Sequence, residues 1–142
     1  VNVVRFGERI IGCGGFINIS QNTPKCVFCG SFTNGAKIAV GDGKLKILEE
    51  GKNIKFTKDV ECISFSGDYA KSVQQEVMFI TERAVIKLID GKMTITEIAP
   101  GIDLEKDVLA HMGFKPEIDK NLKLMDPGMF AETWQGIEEW KK

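Results

Sequence analysis

Twice in this chain an Asp-Gly pair stands between two short apolar runs, an arrangement that leaves little choice of local structure. Lys37-Ile38-Ala39-Val40 and Leu45-Lys46-Ile47-Leu48 flank Gly41-Asp42-Gly43, and Ala84 to Ile89 and Met93 to Ile98 flank Asp90-Gly91-Lys92. Asp and Gly tolerate the positive φ that a tight turn between strands demands, so both stretches read as β-hairpins. Cys26-Val27-Phe28-Cys29, bounded by Pro24 and Gly30, has the pattern of a strand covered on both faces. Val60 to Phe65 and Val77 to Ile80 read as further strands, and Gly67 to Gln75 between them as a short helix completing a βαβ crossover.

Two later helices have capped starts. Asp103 caps Leu104 to Met112, with Glu105 in the first turn and Gly113 as the stop; Leu104, Val108, Leu109 and Met112 share one face. Asp126 with Pro127 at the first helical position starts the second, where Phe130, Trp134, Ile137 and Trp140 recur at helical spacing as a stripe for packing on a sheet. The expected fold class is α/β: a mostly parallel sheet flanked by helices, with hairpin additions. With 142 residues and no repeat or linker, the chain is one domain or one large piece of one. Its 15.7 kDa corresponds to a folded surface of roughly 7,300 Å² against roughly 23,000 Å² unfolded, enough burial for one core.

Charge narrows the function classes. Nineteen basic and twenty acidic residues leave a net charge of −1, so no general electrostatic drive toward nucleic acid or anionic lipid exists. No apolar run approaches the ~20 residues of a helical membrane span. Four cysteines without a secretory signal imply reduced thiols and a cytoplasmic setting. Val1-Asn2-Val3-Val4 reads like the middle of a strand and no Met begins the chain, so a longer parent is expected.

The densest glycine cluster is Gly12-Cys13-Gly14-Gly15. Three glycines in four positions leave backbone N–H groups unshielded, which suits either a tight turn or an anion or oxyanion cradle. It is not a dinucleotide fingerprint, because Ile17 stands where Gly or Ala belongs, and it lacks the Gly-Lys-Ser/Thr of a Walker loop. Cys26-x-x-Cys29 has no second pair to make a zinc site, and its expected role is packing. His111, the sole histidine, reads as a surface or capping residue. The lysines of 44–58 read as a solvated face.

The segment Gly12-Cys13-Gly14-Gly15-Phe16-Ile17-Asn18-Ile19 resembles the Gly-x-Gly-Gly loop of family I coenzyme A transferases. Thr81-Glu82-Arg83-Ala84-Val85, Glu97 to Asp107, Gly113-Phe114-Lys115-Pro116 and Leu122 to Asp126 are similar to later motifs of the same family, in the same order. The branch most resembled is the propionate and short-chain acyl-CoA:acetate CoA-transferases, over roughly residues 2 to 130, with 131–142 a variable tail. The resemblance implies the C-terminal segment of the second of two α/β domains, with a coenzyme A thioester as substrate and no permanently bound cofactor. It implies a ping-pong reaction through a glutamyl-CoA thioester, with acyl-CoA and a carboxylic acid as partners. The backbones of Gly14 and Gly15 would be oxyanion donors, Gly12 would permit the turn, and Cys13 and Phe16 would sit beside the acyl pocket.

One departure matters. The family's nucleophilic glutamate lies in a Glu-x-Gly segment upstream of the loop, and only Glu8, in Gly7-Glu8-Arg9, precedes Gly12 here. The isolated chain is therefore expected to be inactive and to need the remainder of the transferase or a partner subunit, in a homo-oligomer. A non-catalytic module binding coenzyme A or protein, and a subunit of a split transferase, are the alternatives. Glu82 and Glu97 are expected in salt bridges, with alternation placing Glu97 on the strand face of Met93 and Ile95.

Overall fold

The structure is a computed structural model that describes residues 1–2, 5–6, 8–133 and 136. A short pair, β1 (Arg5–Phe6) and β2 (Arg9–Ile10), precedes α1 (Phe16–Asn22) and β3 (Lys25–Cys29). Then come β4 (Thr33–Asn34), β5 (Lys37–Gly41), β6 (Lys44–Glu49), β7 (Asn53–Ile54) and α2 (Gly67–Ser72). The chain closes with β8 (Glu76–Ile80), β9 (Ala84–Ile89), β10 (Lys92–Ile98) and β11 (Glu117–Leu124). Five of these strands form the main sheet in the order β11-β10-β9-β8-β3.

The class is α/β and the sheet is mixed, whereas the sequence suggested a mostly parallel one. β3/β8 and β10/β11 pair parallel, while β8/β9 and β9/β10 pair antiparallel. The reason lies in the second hairpin, which the sequence placed as a decoration. Its strands β9 and β10 occupy the middle of the sheet, and a two-residue turn permits only antiparallel neighbours. Both turns form as expected, with Asp42 (φ 53°) and Gly43 (φ 72°), and Asp90 (φ 53°) and Gly91 (φ 80°), all left-handed.

Three expectations on the first half fail in instructive ways. Val60 to Phe65 is not a strand. The Asn2 side chain accepts from the amides of Ser64 and Phe65 and donates to the Phe65 carbonyl, so a side chain satisfies backbone groups that a ladder would have used. The parallel partner of β8 is instead β3, and α2 belongs to that much longer crossover. Finally, β3 is an edge strand rather than one covered on both faces: Cys26 is buried, but Val27 is 57% exposed and Cys29 is exposed.

The helix expected over Leu104 to Met112 starts as foreseen, the Asp103 carboxylate accepting from the Lys106 amide at 2.8 Å. It then breaks into a π-turn (Leu104–Val108) and a 3-10 turn (Leu109–His111). The Asp107 carbonyl, which a continuing α-helix would pair with the amide four residues on, accepts from the Arg83 guanidinium instead (2.8 Å). Asp126 caps as expected, but only a 3-10 turn over Pro127–Phe130 follows, with Phe130 in the core. The expected continuation of that stripe through Trp134, Ile137 and Trp140 lies outside the described residues. Gly113 serves close approach rather than a left-handed stop: its amide reaches the Phe56 carbonyl at 2.7 Å, and a Cβ there would lie 2.8 Å from the Lys58 nitrogen.

The larger core joins Ile86 and Ile95 of the sheet to Phe32, Leu45, Val108 and Met125, so it sits where the β5/β6 hairpin and the post-β10 turns fold over one end of the strands. Leu45 and Gly43 lock that hairpin down through backbone bonds to Pro100 and Phe130. A smaller cluster of Phe65, Ala70 and Val77, flanked by Phe16, Phe28, Phe79 and Leu88, holds α1 and α2 on the sheet. Ile10, Ile11, Ile19, Val27 and Ile63 are among the large apolar side chains left in solvent.

Candidate functional site

The glycine loop leads directly into α1. Gly12 (φ 72°) and Gly14 (φ 49°) are left-handed, and Gly15 (φ −80°) is the residue before the first helical turn. The loop is closed by its own backbone, Phe16 donating to the Cys13 carbonyl at 2.9 Å and Ile19 to the Gly15 carbonyl at 3.0 Å. Among the described residues, neither the Gly14 nor the Gly15 amide donates a hydrogen bond. A Cβ built at Gly12 or Gly14 would meet nothing within 4 Å. Open space and unused donors thus coincide, and the glycines are required by conformation rather than by crowding.

Phe16 anchors this loop to the sheet. Its ring lies 5.9 Å from that of Phe28, which in turn contacts Phe79 at 5.0 Å and Phe65 at 5.4 Å. The start of α1 therefore sits at the carboxyl end of β3. A groove of about 1060 Å³ opens from the same aromatic cluster, with Phe28, Phe65, Phe79, Leu88 and Met93 among its apolar walls and Lys55 among its polar ones. Gly12 to Phe16 do not line it, so the loop and the groove adjoin through Phe28 rather than forming one cavity. Cys13 is half-buried in the loop.

The carboxylates of the later motifs separate. Glu97 bridges to Lys123 at 3.3 Å, its register partner on β11. Alternation alone put Glu97 with Met93 and Ile95, but a bulge at Thr96 reverses this. Ile95 pairs with Ile86 and Glu97 with Val85, and neighbours on β9 point to opposite faces. Glu82 bridges to Arg83 at 3.3 Å, and its other oxygen accepts from the Phe32 amide at 2.8 Å. Both residues have the salt-bridge partners expected of them, and they have no partner in common.

The densest polar constellation was not legible beforehand. Arg83, in the turn between β8 and β9, has a side chain with 0% exposure. Each of its five N–H donors is used: Nε on Glu82, Nη1 on Glu50 and the Asp107 carbonyl, Nη2 on Glu50 and the Thr33 hydroxyl. The Glu50 fork is bidentate, 2.7 Å to both oxygens, and Phe32 lies under the guanidinium at 5.2 Å. Hydrogen bonds from Arg83 hold the Glu50 carboxyl at about 2, with Thr33, the Gly51 amide and the Arg83 charge adding to the effect against partial burial. Burial works against the Arg83 charge, but the Glu50 carboxylate outweighs it and raises the guanidinium above its ordinary value. His111, expected at the surface, is half-buried with Nε2 3.2 Å from Glu50. Only the Thr-Glu-Arg-Ala motif hinted at this hub; Glu50 sits some thirty residues away, beyond the reach of any local pattern.

Cys26 and Cys29 lie on opposite faces of β3, as alternation requires; the former is packed beside the Ser20 carbonyl and the latter is open. Among the described residues no helix is long and apolar enough to cross a membrane.

In open α/β sheets ligands bind outside the carboxyl ends of the strands, and the glycine loop lies at that end of β3. By sequence and by fold alike, the chain aligns with family I CoA-transferases. It is 51% identical to the caffeate CoA-transferase of Acetobacterium woodii over 143 residues, which is 97% of this chain and 27% of that protein. It is 44% identical to the acetate CoA-transferase YdiF of Escherichia coli, over 96% of this chain and 26% of that one. The solved thioester complex of that acyl-CoA transferase with CoA superimposes with a TM-score of 0.89, over 94% of this chain and 26% of the other, and its apoenzyme does so equally. The chain spans about a quarter of the length of these relatives. No family model matches it.

Proposed function

We propose that this chain is the C-terminal segment of the second domain of a short-chain acyl-CoA:carboxylate CoA-transferase, with residues 131–142 as its variable tail. The observation that carries the reading is the pair of unused amides at Gly14 and Gly15, with open space beside Gly14, in a chain 51% identical to a CoA-transferase. In the reaction, a glutamate carboxylate supplied from outside this chain attacks the acyl-CoA thioester. Negative charge builds on the carbonyl oxygen as the C–S bond breaks, giving an acyl-glutamyl anhydride and CoA thiolate. The thiolate attacks the glutamyl carbonyl, releases the carboxylate, and leaves a glutamyl-CoA thioester that the acceptor acid takes through the same steps in reverse.

Each attack needs donors already aimed at the developing oxyanion. Backbone N–H groups of a glycine loop supply them without a side chain in the acyl group's path. Phe16, packed on the aromatic cluster, positions the loop, and Cys13 borders the acyl group. The exposed isoleucines fit a chain that docks on the rest of a transferase and on further copies. The free cysteines fit a reducing, cytoplasmic setting.

The experiment combines the chain with a polypeptide supplying the other three-quarters of a CoA-transferase and follows CoA transfer from acetyl-CoA to propionate. The chain alone gives none, and the assembly does. Gly15→Pro is the sharp variant, because φ −80° already suits proline and the donor N–H is replaced by the ring's Cδ. Loss of one oxyanion donor costs about 100- to 1,000-fold in kcat. Turnover by the chain alone, or full activity in the proline variant, overturns the assignment.

A further inference from the structure

The main sheet has two edges, and the strands that form them differ in kind. β11 carries four charged residues in eight, Glu117, Asp119, Lys120 and Lys123, the usual guard of a sheet edge that faces solvent. β3 is Lys-Cys-Val-Phe-Cys, and its single lysine is turned onto Glu76 of the neighbouring strand at 3.0 Å. It is parallel-paired and apolar, the composition of an interior strand placed at an edge.

Its free edge is defined atom by atom. The Glu76 amide donates to the Pro24 carbonyl and the Gly30 amide to the Ile80 carbonyl, bracketing the ladder with β8. Main-chain polar groups alternate sides along a strand, so Cys26 and Phe28 face β8 while Lys25, Val27 and Cys29 face outward. Among the described residues these three N–H and three C=O groups have no hydrogen-bond partner. Val27, in the middle, is 57% exposed.

The geometry points to the outer edge of β3 as the docking strand for a β-strand contributed by the remaining three-quarters of a CoA-transferase polypeptide. The partner's identity rests on the transferase reading above and on the quarter-length match. Six main-chain groups in register provide the affinity, and the exposed Val27 side chain provides an apolar contact.

The test mixes the chain with the Acetobacterium woodii caffeate CoA-transferase from which the matching quarter has been deleted, and reads amide hydrogen exchange residue by residue. In the free chain the Lys25, Val27 and Cys29 amides exchange fast and those of Cys26 and Phe28 slowly. In the complex the three outward amides slow at least a hundredfold. Val27→Pro, which removes an outward N–H together with the exposed valine contact and leaves the ladder to β8 intact, weakens the complex at least tenfold while the free chain keeps its melting temperature within a few degrees. A complex that transfers CoA while those amides still exchange at the free rate, or that tolerates Val27→Pro, overturns the docking edge and leaves the transferase reading standing. Protection of the same amides in the chain alone at high concentration assigns the edge to a second copy and overturns this partner. Failure of the chain to form any complex with a deleted transferase that itself shows a cooperative melting transition overturns both.

Discussion

Replacing Arg83 by Met removes the group that ties four segments together: the β8/β9 turn, Glu50 after β6, Thr33 of β4 and the Asp107 carbonyl. Met keeps much of the stem's volume, so the change isolates the loss of charge and donors. Taking one partner from a buried ion pair costs about 3–5 kcal/mol, because the other charge stays behind uncompensated. Glu50 keeps 29% of its side chain in solvent, which puts Arg83→Met near the lower end, about 3 kcal/mol. For a domain of this size that is a drop in Tm of about 10 °C. The assay is urea unfolding at pH 7 on four proteins: the parent chain, Arg83→Met, Glu50→Gln and the double variant. Glu50→Gln alone costs about 2 kcal/mol, yet in the Arg83→Met background it restores about 1–2 kcal/mol, since the Glu50 carboxylate is no longer left without its cation. Coupling of about 2 kcal/mol or more is expected; additivity to within about 0.5 kcal/mol refutes the hub.

Acid sensitivity follows from the same pair. Glu50 is held at about 2 against an ordinary 4.5, so its stabilisation is complete above pH 4.5 and is lost as pH falls toward 2. The shift corresponds to about 3 kcal/mol, which solvent at the part-exposed carboxylate reduces to about 2 kcal/mol; an equal decline from pH 5 to pH 2 in parent and Glu50→Gln removes the assignment. Gly101→Ala is expected to cost more than about 2 kcal/mol, since φ +89° is left-handed and a Cβ would stand 2.6 Å from the Leu45 carbonyl oxygen. Thermal melts check it, and a shift under about 3 °C contradicts it.

Much of the fold was legible because local chemistry wrote it. The Asp-Gly pairs dictate left-handed turns whatever surrounds them, and Asp103 and Asp126 cap their own downstream amides. The glycine loop could be located and freed of dinucleotide readings from spacing alone. β11 was missed as a strand because its four charges hide any alternation. It is a strand through parallel pairing with β10 on both sides of the bulge. The face of Glu97 was misread for a related cause: a single extra residue at Thr96 reverses the pleat, and nothing in Thr-Ile-Thr-Glu announces it.

What this sequence determined unaided are the features whose partners lie within a few residues: the Asp-Gly turns and the Asp103 and Asp126 caps. What only the tertiary structure decided are the features closed over long separations. Arg83 met Glu50 and Thr33 across 33 and 50 positions, β3 found β8 rather than the 60–65 segment, and an expected helix gave up a carbonyl to a guanidinium. Short-range hydrogen bonds require little loop closure and so are set by neighbouring residue types. Long-range ones depend on which of several competing partners the packed core brings within 3 Å.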